Sequence, residues 1–241
     1  MRGESERFKK KVILSEEKMR YQKKNSLWKS VLRISLILFI IVFAYAFIRY
    51  NIIKGVGFQH VPLFIANKAV ALFSVVLIAL SYLLGPLARF FPRTFSSKLP
   101  LRKHLGLLGF SMAAIHGVMS MLLFTPAYYP KFFDSSGQLN LTGELSMLFG
   151  IAAFFIFALV ALTSIPSIEK GMDEKDWIRI QRIGYLAFLF VLLHVLVMGI
   201  EGWLNPSAWP GGLLPISLVA FIIIALTLLL RIVVLFSGRR I

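Results

Sequence analysis

Two histidines, His116 and His194, each sit inside a long apolar run of the chain. His116 lies 13 residues past Lys103, and His194 lies 12 residues past Arg182. If both runs cross a membrane in the same direction, helix rise puts both rings about 18–20 Å from one face. An ionisable ring at that depth is costly and marks a functional site by default. Two rings at one depth on two spans suit a shared ligand. The bland alternative is a polar hydrogen bond between helices, yet no acid lies near mid-depth to pair with either ring. A bare zinc or copper ion wants more than two protein ligands. Two imidazoles suffice where a macrocycle supplies the other four, so the favoured chemistry is axial ligation of a haem iron.

The other two histidines read differently. His104 precedes His116 by 12 residues, about 120° round a helix from it, and is expected at the membrane interface. His60 falls in a connecting segment and reads as a surface residue. The chain has no cysteine, which excludes iron–sulfur clusters, thiolate-ligated haem, c-type haem attachment and disulfides. No GxGxxG, P-loop or HExxH pattern occurs, so no nucleotide site is visible.

The elements that must position the pair follow from composition. The 241 residues are 58% hydrophobic with a mean hydropathy of +0.78. Six apolar runs are expected to span: Val31–Ile48, Phe64–Leu84, His104–Phe124, Leu145–Ile165, Ile183–Ile200 and Leu213–Phe236. The fold class is therefore all-α, a polytopic membrane protein built as a six-helix bundle. The connections Tyr50–Leu63, Gly85–Lys103, Thr125–Glu144, Pro166–Arg182 and Glu201–Gly212 read as loops. Tyr128, Tyr129, Trp203 and Trp209 at loop edges read as interfacial anchors. No separate catalytic domain is expected within these 241 residues.

Residues 1–28 carry nine Lys/Arg and four Glu, and no apolar core precedes Val31. No signal peptide is expected, and the tail should stay on the side of synthesis. With the tail inside, all but four of the 27 Lys/Arg fall at inner loops or inner helix ends; Arg49, Lys54, Lys68 and Lys131 are the exceptions. Both termini are then cytosolic. The net charge of +16 thus reads as topology. A nucleic-acid partner is not expected, because the bases are spread over several loops without stacking aromatics. Contact of the tail with anionic membrane lipid is a subsidiary expectation.

Around His116, Gly109, Met112, Ala113 and Ser120 occupy one stripe of the helix. Three of those four are small. That stripe would leave room for a flat macrocycle, and would equally allow close helix packing.

The stretch RKHLGLLGFSMAAIHG (Arg102–Gly117) resembles the third span of the ferric reductase-like transmembrane superfamily. There a basic pair and Leu-Gly precede a haem-ligand His ten residues after the Gly, here Gly106 and His116. Ala161–Ser164, a short charged loop and Asp176–His194 resemble the junction of its fourth and fifth spans. The nearest pattern is the MsrQ-like haem-binding membrane subunit of bacteria. The likeness covers about Leu99–Met198. One departure matters. MsrQ-like chains carry a second fifth-span His where this chain has Gln181. Two-haem members of the NADPH-oxidase type carry a third-span His where this chain has Arg102. The resemblance therefore implies a single b-type haem ligated by His116 and His194. In such relatives a flavin (FMN or FAD) can serve the inner half; the basic rim Arg89, Arg93, Lys98, Arg102, Lys103, Arg179 and Arg182 could accept its phosphate, and topology equally accounts for the same residues.

The domain expectation is a basic cytoplasmic tail over 1–28 and a six-span ferric reductase-like domain over 29–241. The functional expectation is an oxidoreductase subunit for transmembrane electron transfer, in a bacterial inner (plasma) membrane. The donor is a cytosolic flavoprotein, a bound flavin or a membrane quinol. The acceptor is an outer-side metal ion or a periplasmic reductase. The competing expectation is a haem-free multi-pass protein, such as a small transporter subunit or assembly factor. A two-haem quinol-oxidase type is disfavoured, since four core histidines are needed and only His116 and His194 are there.

Overall fold

A computed structural model of the chain describes the backbone over residues 2–237 and the side chains over 25–237. Six long helices carry the fold: α1 (Arg2–Phe47), α2 (Ala66–Phe90), α3 (Leu101–Leu123), α4 (Leu141–Leu162), α5 (Glu174–Trp203) and α6 (Ile216–Phe236). Each contains a stretch long and apolar enough to cross a membrane. The protein is an all-α, integral multi-pass membrane protein, as the apolar runs indicate. With six crossings, both chain ends share one face, called here the terminal face.

Several helices start before their apolar windows, because interfacial turns tolerate charge. α5 starts at Glu174 and not at Ile183, with Glu174 and Asp176 in its first turn, where acids suit the helix dipole. The charged segment Pro166–Arg182 is thus half helix. α4 starts at Leu141 and not at Leu145, because the Asn140 side-chain oxygen caps it by accepting from the Gly143 N–H at 3.0 Å. The segment Tyr50–Leu63 is also largely helical: α1 runs into a wide π-type turn (Ile48–Ile53), and Val61–Ile65 winds into α2. The tail backbone is part of α1. The lipid contact expected of the tail falls on side chains outside the described residues.

α2 is the central helix. Its Asn67, Ala69 and Leu77 are all but completely buried. It packs on α3, α6 and α1, while α4 pairs with α5 and α5 with α6. α3 touches α4 only lightly, and α3 and α5 make almost no direct contact. The two histidine-bearing helices are therefore held apart, each packed on other helices.

Lipid tails are as apolar as leucine, so association of these helices rests on close packing. Glycines supply it. A methyl at Gly109 would lie 2.7 Å from Ile78 Cγ1, and one at Gly106 would lie 3.1 Å from Ser81 Oγ. Gly109 of the small stripe therefore serves the α2–α3 contact and not a macrocycle. Gly184 plays the same part on α5, where the Tyr82 hydroxyl of α2 sits on its Cα.

Candidate functional site

His116 stands about two thirds of the way along α3, half-buried. Its Nδ1 lies 2.7 Å from the Asn67 side-chain oxygen of α2 and 3.3 Å from Ser120 Oγ one turn on. The Asn67 amide nitrogen donates to Ser120 Oγ at 3.0 Å. That bond orients the amide, so its oxygen faces the imidazole. An amide oxygen only accepts; the proton is therefore on His116 Nδ1.

His194 stands about two thirds of the way along α5, also half-buried. Its Nδ1 lies 2.7 Å from the main-chain oxygen of Ser146 on α4, and 3.2 Å from Ser146 Oγ. A backbone carbonyl also only accepts, so this ring too carries its proton on Nδ1. Access to a carbonyl inside a helix needs a bare surface. Gly150, four residues on, provides it: a methyl there would lie 3.1 Å from His194 Nδ1.

Neither Nε2 has a hydrogen-bond partner among the described residues. Each ring thus offers a neutral nitrogen lone pair, held in orientation through its other nitrogen. That is the state in which imidazole ligates a metal, and these supporting bonds are its usual companions. Among the described residues, no three His, Cys, Asp or Glu gather into a metal cage. The donor set fits a macrocyclic iron better than a bare ion.

On the terminal side a cavity of about 870 Å³ opens between α2, α3, α4 and α5. Tyr82, Tyr185, Phe110 and Phe157 line its apolar part, and Arg89, Arg102, Lys103, Arg182 and Arg231 line its polar part. Arg102 is pinned to α2, with Nε donating to the Ser81 carbonyl at 3.1 Å and its own carbonyl accepting from Ser81 Oγ at 2.8 Å. Nε and Nη2 of Arg89 are buried without a partner. Lys103 pairs with Glu169 across the mouth. Of the expected rim, the cavity lining gathers Arg89, Arg102, Lys103 and Arg182; Arg93, Lys98 and Arg179 are not part of it.

The remaining readings resolve individually. Gln181 donates to the Val160 carbonyl at 3.2 Å and lies 3.2–3.3 Å from Ser164 Oγ and Thr163 Oγ1, at the end of α4. His104 sits edge-on to Trp28 at 4.6 Å with Nδ1 near the Pro100 carbonyl, away from both rings. His60 lies against Tyr128. Trp203 and Trp209 are bound internally, to Ser217 Oγ and the Gly202 carbonyl. On the face opposite the termini, Lys68 Nζ and the Arg49 guanidinium both lie over the Tyr50 ring, 5.2 and 5.5 Å from its centre. Burial lowers the Lys131 ammonium pKa, with Glu201 opposing, and burial raises the Tyr129 phenol.

Sequence reasoning missed Asn67, Ser146 and Gly150. Asn67 carried a usable signal, since a lone amide within an apolar span needs a partner. The Ser146 contribution is main-chain, and no residue type announces it.

The family model described as ferric reductase like transmembrane component matches residues 69–192. That is more than half the chain, and the chain belongs to this family. The chain is 29% identical over 205 residues to metalloreductase STEAP2 of Mus musculus and of Homo sapiens. It is 27% identical over 205 residues to metalloreductase STEAP3 of Rattus norvegicus. These matches cover 71–72% of the chain and 42% of each relative. The chain thus spans about two fifths of the length of the curated relatives it matches.

Proposed function

We propose that the chain carries electrons across a membrane through one b-type haem with His116 and His194 as axial ligands. The observation that carries this reading is the tautomer of the two rings. Both donate Nδ1–H to fixed oxygens at 2.7 Å and leave Nε2 free. Held there by His116 and His194, a haem would supply a one-electron carrier. The chain does the rest. Asn67 and Ser146 fix ring orientation and strengthen each imidazole as a ligand, and the surrounding helices exclude water.

The cavity on the terminal side suits a flavin. Its volume falls in the usual range of small-molecule sites, about 300–1,000 Å³. An apolar floor of aromatics meets a cationic rim, and converging guanidiniums such as Arg102 and Arg182 stabilise phosphate. The unpartnered nitrogens of Arg89 add a further donor set. The haem ligands lie about 18–20 Å from the terminal face by helix rise, so an occupant of this cavity bridges a distance that a soluble donor cannot. A flavoprotein or reduced flavin is the donor on this reading; a membrane quinol is the competing donor. The relatives are metalloreductases by name, which favours a metal ion as acceptor over a partner reductase. On this reading the terminal face is cytosolic, supported by the charge distribution, and the membrane is a bacterial plasma membrane, as the MsrQ-like resemblance implies.

The test is vectorial reduction. The full chain in liposomes should reduce external ferric or cupric ions when reduced flavin is supplied to the terminal side. His116→Ala should abolish it. Equal rates in wild type and variant would overturn the proposal.

A further inference from the structure

The four cations expected to break the charge rule are not scattered. They meet on one side of the histidine pair, and two of them stand in register with it. α2 runs toward the terminal face, so Lys68 starts one residue past Asn67, the partner of His116. Its side chain turns back: Nζ lies 4.4 Å from the centre of the Phe64 ring and 5.2 Å from those of Tyr50 and Tyr129. Phe64 is one helical turn nearer the opposite face. The ammonium is therefore about one turn beyond His116.

Lys131 repeats the relation on the other helix. Its Nζ donates to the main-chain oxygen of Met198 and lies over the Phe132 ring. Met198 is four residues past His194, one turn nearer the opposite face. Each candidate ligand thus has a lysine one turn beyond it. The rings that the two ammoniums lie over, Tyr129 and Phe132, stack on each other at 5.7 Å. Neither lysine forms an ion pair: among the described residues the ion pairs are Lys103–Glu169 and Arg179–Asp176, both near the terminal face. Glu201 interacts with Lys131 at longer range only. Behind them the guanidinium of Arg49, 6% exposed, has Nε and Nη1 without partners. Aromatic faces hold a cation but do not neutralise it.

Toward the terminal face the cations on these two helices are distant. Lys103 and Arg182 precede the histidines by 13 and 12 residues, about 18–20 Å by helix rise, well over half of an about 30 Å hydrocarbon core. Haem b brings two carboxylates into the same medium, and buried carboxylates need cationic partners.

Resting on the haem reading above, we infer that Lys68 and Lys131 anchor the two haem carboxylates, so that the carboxylate edge faces away from the chain termini. The competing use of these cations is to hold an anionic metal chelate.

The experiment compares haem b with its dimethyl ester, which keeps the ring and iron and lacks both charges. Full-length apoprotein purified from haem-deficient cells is titrated with each, read by the Soret band. Wild type should bind the free acid at least tenfold more tightly than the diester. Lys68→Met with Lys131→Met should erase that preference, with the diester bound as in wild type, which shows the variant folded. Lys68→Arg should keep it. Equal binding of acid and diester by wild type would overturn the anchoring and leave the haem reading standing. So would a preference that survives in the double variant while ferric citrate binding is lost. Binding of neither form would overturn the haem reading and the anchoring together.

Discussion

Asn67 on α2 accepts the Nδ1 proton of His116 on α3 at 2.7 Å, across 49 residues of chain. The pair converts a polar residue buried in the central helix into a device that fixes which nitrogen of the histidine is free. Asn67→Leu removes the acceptor while keeping the volume. Haem affinity should fall about 10–100-fold, the usual cost of losing such support. Asn67→Asp keeps an acceptor and should retain haem. The readout is haem retained by purified protein after dilution.

His194 is supported by main chain, which predicts a different pattern. Ser146→Ala leaves the carbonyl at 2.7 Å and should leave haem binding nearly unchanged. Gly150→Val puts a branched side chain where even a methyl would lie 3.1 Å from Nδ1. It should lower haem affinity about tenfold or more. Parallel titrations of the two variants check the contrast.

Much of this was legible in the chain. The six spans follow from apolar runs, and His116 and His194 stand out because ionisable rings at mid-depth are costly. Their companions were harder to see. Ser146 contributes a backbone oxygen, and Gly150 contributes the lack of a side chain, so neither has a residue-type signature. Gly109 was open to two readings, and contact with Ile78 decides for helix packing. The helix ends were misplaced because hydropathy windows stop where charge begins, while Asn140 and the acids of Glu174–Asp176 extend α4 and α5 past them. Lys68 and Lys131 counted only as exceptions to a charge rule until the fold brought them together.

The cavity makes a kinetic prediction. Arg102→Gln with Arg182→Gln removes two guanidiniums from its lining. Each charge-assisted hydrogen bond is worth about 1.5–3 kcal/mol, so reduction of the haem by a flavin system should slow about tenfold or more. The oxidised spectrum should not change. Stopped-flow reduction checks it, and unchanged kinetics with normal membrane insertion would favour a quinol donor.

Packing makes a stability prediction. Gly184→Ala drives a methyl into the Tyr82 hydroxyl. Overpacking of this kind costs about 1–3 kcal/mol. Thermal unfolding in detergent should show the loss, and Tyr82→Phe in the same chain should recover part of it.

The central claim is that one iron macrocycle lies between His116 and His194. The direct measurement is haem per chain by pyridine haemochrome on the purified full-length protein, with a reduced-minus-oxidised spectrum. One haem b per chain is the predicted result, lost in both His116→Ala and His194→Ala. A ratio near two would mean that His104 or another residue also ligates iron. A spectrum without b-type bands, or one unchanged in both variants, would contradict the account.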